Sequence, residues 1–171
     1  KPERQYDGLV AGVVGPDSGE FRTFLATGKN LNRYSTEDED DGQLAVTHYQ
    51  VVERLPDTTH VTVQLETGRR NQIRVHFAEA QHPVLGDNRY RSDLWTNIPW
   101  GYKRFALHAS TLGFTHPVTG DSMRFNSPLP AEMTDFMKFS KRRDKEISQD
   151  LRKPRSKDDK SDVKGRKERR R

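Results

Sequence analysis

Polar and apolar positions alternate most clearly over residues 45–54 (AVTHYQVVER) and 60–66 (HVTVQLE), two stretches separated by Leu55-Pro56-Asp57. Successive strand side chains point to opposite faces, so this pattern predicts two antiparallel strands. Upstream, residues 6–14 (YDGLVAGVV) are apolar and valine-rich, and Gly15-Pro16-Asp17-Ser18-Gly19 signals a turn before Phe21. A hairpin is expected there. Two more strands are predicted over residues 105–114 and 122–125, joined through His116-Pro117-Val118-Thr119-Gly120. The alternation breaks at Thr67-Gly68-Arg69, after which Ile73, Phe77 and Ala80 fall at i, i+4 and i+7. That spacing predicts a helix over residues 71–80, stopped by His82-Pro83 because proline restricts the preceding residue and cannot donate its backbone N–H.

Residues 28–43, with Gly28, Asn30, Asn32 and the acidic run 37–41, have few apolar anchors and are expected to form a solvated loop. Residues 131–139 form the last ordered piece expected. No internal repeat is visible at solenoid or propeller periods. The pattern predicts one α+β domain over residues 1–140, with a mostly antiparallel mixed sheet and few helices. Residues 141–171 form a basic tail whose only aliphatic residues are Ile147, Leu151 and Val163, too few to bury a face, so disorder or a transient helix is expected.

Composition sharpens this division. The 171-residue chain is 31% hydrophobic and 32% charged, with a mean hydropathy of -1.01, a balance expected when part of a chain does not pack. Of its 30 Lys and Arg, 15 lie in residues 141–171 against only 7 of the 25 Asp and Glu, so the tail carries the net positive charge. Cysteine is absent, which removes disulfides, thiolate catalysis and Cys-ligated zinc and fits a reducing compartment. No apolar run approaches the roughly 18 residues of a membrane span, so a cytoplasmic protein is expected. The start at Lys1-Pro2-Glu3, without methionine and close to strand-like sequence, is read as that of a piece of a longer chain.

Candidate chemistry concentrates at Thr67-Gly68-Arg69-Arg70-Asn71-Gln72-Ile73-Arg74-Val75-His76, where three arginines fall within six residues at a strand-to-helix junction. Such a turn aims cations and a helix N-terminus at one point, which suits an anionic partner. On charge alone, a solvated surface patch accounts for the arginines as well.

This segment resembles the T-G-R-[TS]-H-Q-[IL]-R-V-H block of RluA-type RNA pseudouridine synthases. Three further blocks follow the family order: Tyr6-Asp7-Gly8-Leu9-Val10-Ala11-Gly12; His82-Pro83-Val84-Leu85-Gly86-Asp87 with Tyr90; and Leu107-His108-Ala109 through His116-Pro117-Val118-Thr119-Gly120 to Ser127-Pro128-Leu129-Pro130. The resemblance covers residues 5–139 and departs locally at Arg70-Asn71. It implies isomerisation of uridine to pseudouridine in rRNA or tRNA, with no metal or organic cofactor and no membrane. Arg74 matches the arginine that pairs with the catalytic carboxylate, and Tyr6 the active-site tyrosine stacked on the uracil. Ile73, Arg69, Arg70 and Gln72 are the residues expected to contact substrate. The family's nucleophilic aspartate sits in an H-R-L-D motif, which these 171 residues lack, so the chain by itself is expected to be inactive. Neither Asp7 nor Asp87 is assigned that role. Two alternatives stay open: a non-catalytic RNA-binding protein of the same fold, and an assembly factor acting through its tail.

Overall fold

The computed structural model describes residues 2–152. Seven strands form one antiparallel sheet: β1 (Glu3–Ala11), β2 (Ser18–Thr27), β3 (Arg33–Thr36), β4 (Gln43–Arg54), β5 (Thr58–Leu65), β6 (Leu107–Thr115) and β7 (Ser122–Asn126). Two helices, α1 (Gln72–Glu79) and α2 (Ala131–Arg152), accompany it. The strand order is β3-β2-β4-β5-β1-β6-β7, so the α+β architecture expected from the alternation is the one observed.

The first hairpin is not. β1 pairs with β5 and β6, whereas β2 pairs with β4 and β3. Burial gives the reason: Leu9 and Val10 point to opposite faces and both are fully buried, so β1 needs cover on both sides and takes a central place. β2 alternates exposed and half-buried positions over most of its length and tolerates a place near the edge. Residues 28–43 also differ from a plain solvated loop. They contain the edge strand β3, paired to β2 from Phe24↔Thr36 to Thr27↔Arg33, and the acidic run forms the turn after it, with Asp38 accepting from the Asp40 amide at 2.9 Å.

The third difference is α2, which continues past Phe139 to Arg152. Met133, Phe136 and Ser140 bury one stripe at helical spacing. Beyond it, Lys141 pairs with Glu53 at 2.8 Å and Arg143 with Asp57, tying the helix to the β4–β5 turn. Lys141 and Arg143 are thereby neutralised, and the end of the basic tail, residues 153–171, lies outside the described residues. No helix among the described residues is long and apolar enough to cross a membrane.

Directly paired residues on adjacent antiparallel strands share a face. Helix α1 covers one face of β2, β4 and β5, where Phe21, Tyr49 and Phe77 pack with ring centroids 5.2–5.6 Å apart. His76 is fully buried beside them, its Nδ1 2.9 Å from Thr47 Oγ1 and its Nε2 3.0 Å from Thr23 Oγ1. Burial pushes this imidazole down from 6.5 to about 4. Because the folded state holds His76 neutral, its contribution is present above the unfolded pKa and is lost as pH falls from 6.5 to about 4. The expected loss over that window is up to roughly 3 kcal/mol. Chemical denaturation at pH 7 and pH 4.5 should show a larger drop for the native chain than for His76→Gln, and equal drops would contradict this account.

Candidate functional site

The site begins where β5 ends. Thr67-Gly68-Arg69 turns the chain off the sheet, and Gln72 holds the turn. Its amide oxygen accepts from Thr67 Oγ1 at 2.8 Å and from the Arg69 amide at 2.9 Å. Its Nε2 donates to Val46 O and Thr47 Oγ1, both at 2.9 Å. All four hydrogen-bonding positions of the side chain are thereby used. Asn71 starts α1 with φ 60°, a left-handed conformation that asparagine tolerates better than most residues.

This geometry turns Arg74, in the first turn of α1, toward the loop that follows the helix. Its Nε donates to Asp87 Oδ2 at 2.5 Å, its Nη2 to Asp87 Oδ1 at 2.7 Å and its Nη1 to Asn71 Oδ1 at 3.0 Å. A bidentate guanidinium–carboxylate pair fixes both direction and plane. The hydrogen bonds of Asp87 raise the Arg74 pKa further above its ordinary value, outweighing burial. Asp87 is 1% exposed and also accepts from the backbone amides of Arg89 (2.9 Å) and Tyr90 (3.3 Å). Aromatic rings flank the guanidinium, Tyr90 at 5.1 Å and Phe105 at 4.7 Å from centroid to Cζ. Two of its five N–H groups remain for another acceptor.

The loop is itself anchored to β1. Leu85 N donates to Leu9 O (3.0 Å), Ala106 N to Leu85 O (2.8 Å) and Leu9 N to Ala106 O (2.9 Å). Gly86, at φ +80°, lies where any side chain would strike the Trp100 indole. Between β1, the turn and the 105–107 segment is a cavity of about 210 Å³. Tyr6, Leu65, Ile73, Phe105 and Leu107 give it apolar walls, and Arg69 and Arg74 bring positive charge.

Tyr6, Ile73, Arg69 and Arg74, from separate blocks of the sequence, thus line one cavity. Gln72 lines it too, but with its amide fully engaged it supports the turn and has nothing left to offer a substrate. Arg70 points elsewhere, its Nη2 donating to Leu31 O at 2.7 Å. Sequence reasoning missed Phe105, which no periodicity marks, and the pairing of Asp87 with Arg74, for which their placement in two separate blocks gave no distance. A larger hollow of about 480 Å³ lies on the other face, lined by Gln5, Gln50, Thr62 and Gln64 with His48. It holds no arginine. Asp7 lies on that face as well, 2.8 Å from His60 Nε2. Burial pushes the Asp7 carboxyl up, but hydrogen bonds from His60 and Ser110 and the nearby charges of His60 and His108 outweigh it and hold the pKa below the usual value. Among the described residues no group of three or more His, Asp or Glu is placed to hold a metal ion.

The model of the RNA pseudouridylate synthase family matches residues 1–79. The Bacillus subtilis RNA pseudouridine synthase YlyB is 39% identical over 134 residues, covering 78% of this chain and 43% of that protein. The ribosomal large subunit pseudouridine synthase D of Vibrio cholerae is 37% identical over 150 residues, with the same two coverages, 78% and 43%. The chain thus spans less than half the length of these relatives. Among solved structures, human RNA pseudouridylate synthase domain containing 1 superposes with a TM-score of 0.64 at 21% identity, covering 74% of this chain and 54% of that one. The corresponding domain containing 4 gives 0.63 at 21% identity, with 80% and 61% covered. These two likenesses establish the fold.

Removing one partner of a buried ion pair leaves the other charge uncompensated. Asp87→Ala is expected to destabilise the chain by roughly 3 kcal/mol, and Asp87→Asn, which still accepts from the 89 and 90 amides, by less. Thermal melts of the three proteins check this ranking. A melt of Asp87→Ala matching the native one would show that the pair contributes nothing.

Proposed function

We propose that this chain, which belongs to the RNA pseudouridine synthase family, forms the base-receiving part of a site that isomerises uridine to pseudouridine in RNA. The observation that carries this reading is the meeting of Tyr6 and Arg74, from two separate sequence blocks, at one apolar-walled cavity with a cationic rim. A flat, extruded uracil suits such a cavity, since aromatic and aliphatic walls grip a base taken out of its stack.

In the reaction the N1–C1′ glycosidic bond breaks, the uracil turns over, and a C5–C1′ bond forms. N1 gains a proton and C5 loses one, so nothing is oxidised or reduced and no co-reactant is consumed. Tyr6 and Phe105 keep the detached base from escaping while it turns. Arg74 directs its two uncommitted N–H groups at a carboxylate in the cavity and keeps that carboxylate ionised. The nucleophilic carboxylate is neither Asp87, which is committed to Arg74, nor Asp7, which lies on the opposite face, and no Asp or Glu is among the residues that line the cavity. Arg69 at the rim takes a backbone phosphate. Ribosomal RNA is the substrate class favoured, from the name of the Vibrio cholerae relative. The basic residues beyond 152 add attraction that is independent of sequence and weakens with salt.

The test uses the longer protein that contains this chain, incubated with ribosomal RNA and probed for pseudouridine. Arg74→Ala should lower turnover about 100-fold or more while RNA affinity changes only a few-fold, as for a group that acts mainly in the transition state. Equal losses in turnover and affinity would reduce Arg74 to a phosphate contact. Failure of the native protein to form pseudouridine would remove the proposal altogether.

A further inference from the structure

The face of the sheet that carries Tyr6 does not end at the cavity. Along a row crossing the strands, Arg4 of β1 is paired with Leu112 of β6, and Leu112 with Phe125 of β7. Directly paired residues share a face, so these three stand beside one another, two residues along β1 from Tyr6. The next row adds Phe114 opposite Met123. Leu112 is 43% exposed and Phe125 51% exposed. Phe125 is stacked on Phe114 with centroids 6.1 Å apart and planes inclined by 25°. This is an apolar shelf at the sheet edge, continuous with the candidate cavity.

Arg4 stands between shelf and cavity. Its guanidinium lies against Gly68, at the turn that holds Arg69, and any side chain at position 68 would collide with it. Its Nε is buried without a hydrogen-bond partner, and no acid neutralises it among the described residues. Glu3, its neighbour in sequence, projects to the opposite face and pairs with Arg124 at 3.0 Å. An arginine held by packing, free of a counter-ion among the described residues and set between a base-sized cavity and the exposed ring of Phe125, backed by the half-buried Phe114, matches the alternation of phosphate and base along a single nucleic-acid strand.

We infer that the strand flanking the target uridine leaves the cavity over Arg4, which binds its phosphate, and stacks its neighbouring base on Phe125. The inference rests on the proposed RNA-modifying role and adds where, and through which contacts, the substrate strand continues. Charge and continuity favour RNA over a protein partner: the shelf is joined to the cavity through an unpaired cation, and the ring that a base would cover is already held flat by Phe114.

The test is fluorescence anisotropy of a labelled single-stranded oligouridine RNA with the full 171-residue chain. Phe125→Ala should weaken binding about tenfold or more, while Phe125→Trp, which preserves a stacking face, should bind as well as the native chain. Arg4→Gln should weaken binding and reduce the slope of log affinity against log salt by about 0.7. Binding that depends on Tyr6 but not on Phe125 or Arg4 would overturn the strand path and leave the cavity's role standing. Absence of RNA binding by the native chain would overturn the strand path, while the pseudouridine assay on the longer protein decides the cavity's role separately. Affinity indifferent to Phe125, together with self-association of the native chain that Phe125→Ala abolishes, would identify the shelf as a protein contact and likewise overturn the inference. Loss of binding in both Phe125→Ala and Phe125→Trp, with unchanged melts, would do the same, because stacking predicts that they differ.

Discussion

The bidentate pair between Arg74 and Asp87 is the constraint on which the site depends. It joins α1 to the loop that follows it, and that loop is hydrogen-bonded through Leu85 to Leu9 of β1. Since β1 also carries Tyr6, the two residues that meet at the cavity are linked by one ion pair and one short backbone ladder. A buried ion pair is a weak source of net stability, because desolvation offsets much of the attraction. What it supplies here is direction. Asp87, almost fully buried and held by two backbone amides as well, leaves the guanidinium a single plane at the cavity wall.

The two faces of the sheet divide the chemistry. The face under α1 collects Arg4, Arg69 and Arg74 around apolar walls, and the acid among them is spent on Arg74. The opposite face carries amides, threonines and the Asp7–His60 pair. Positive charge is therefore concentrated on the first face, and the larger hollow on the second is lined by no arginine. This asymmetry is set by strand periodicity: Arg4, Tyr6 and Gly8 alternate with Glu3, Gln5 and Asp7 along β1.

Much of this was legible in the sequence. The alternation over β4 and β5, the break at Thr67-Gly68-Arg69 and the helical spacing of Ile73 and Phe77 placed the turn and helix that position Arg74. The order of the strands was hidden, because local turn signals at residues 15–19 say that the chain reverses without saying which strand lies beside which. The burial of Leu9 and Val10 on both faces decides it, and that is a tertiary fact. β3 escaped notice because four residues at an edge need little apolar character. The end of α2 was misjudged because Lys141 and Arg143 hold it by ion pairs to Glu53 and Asp57, contacts that no hydrophobic count registers. Gln72 sat in the right block, and only its four hydrogen bonds show that it supports the site from within.

The most direct test is to irradiate the chain in complex with RNA containing 4-thiouridine and map the cross-linked peptide. The account predicts attachment at the cavity walls, to peptides containing Tyr6 or Phe105. Attachment confined to the opposite face, in the peptides around His48, Gln50 and Gln64, would contradict it.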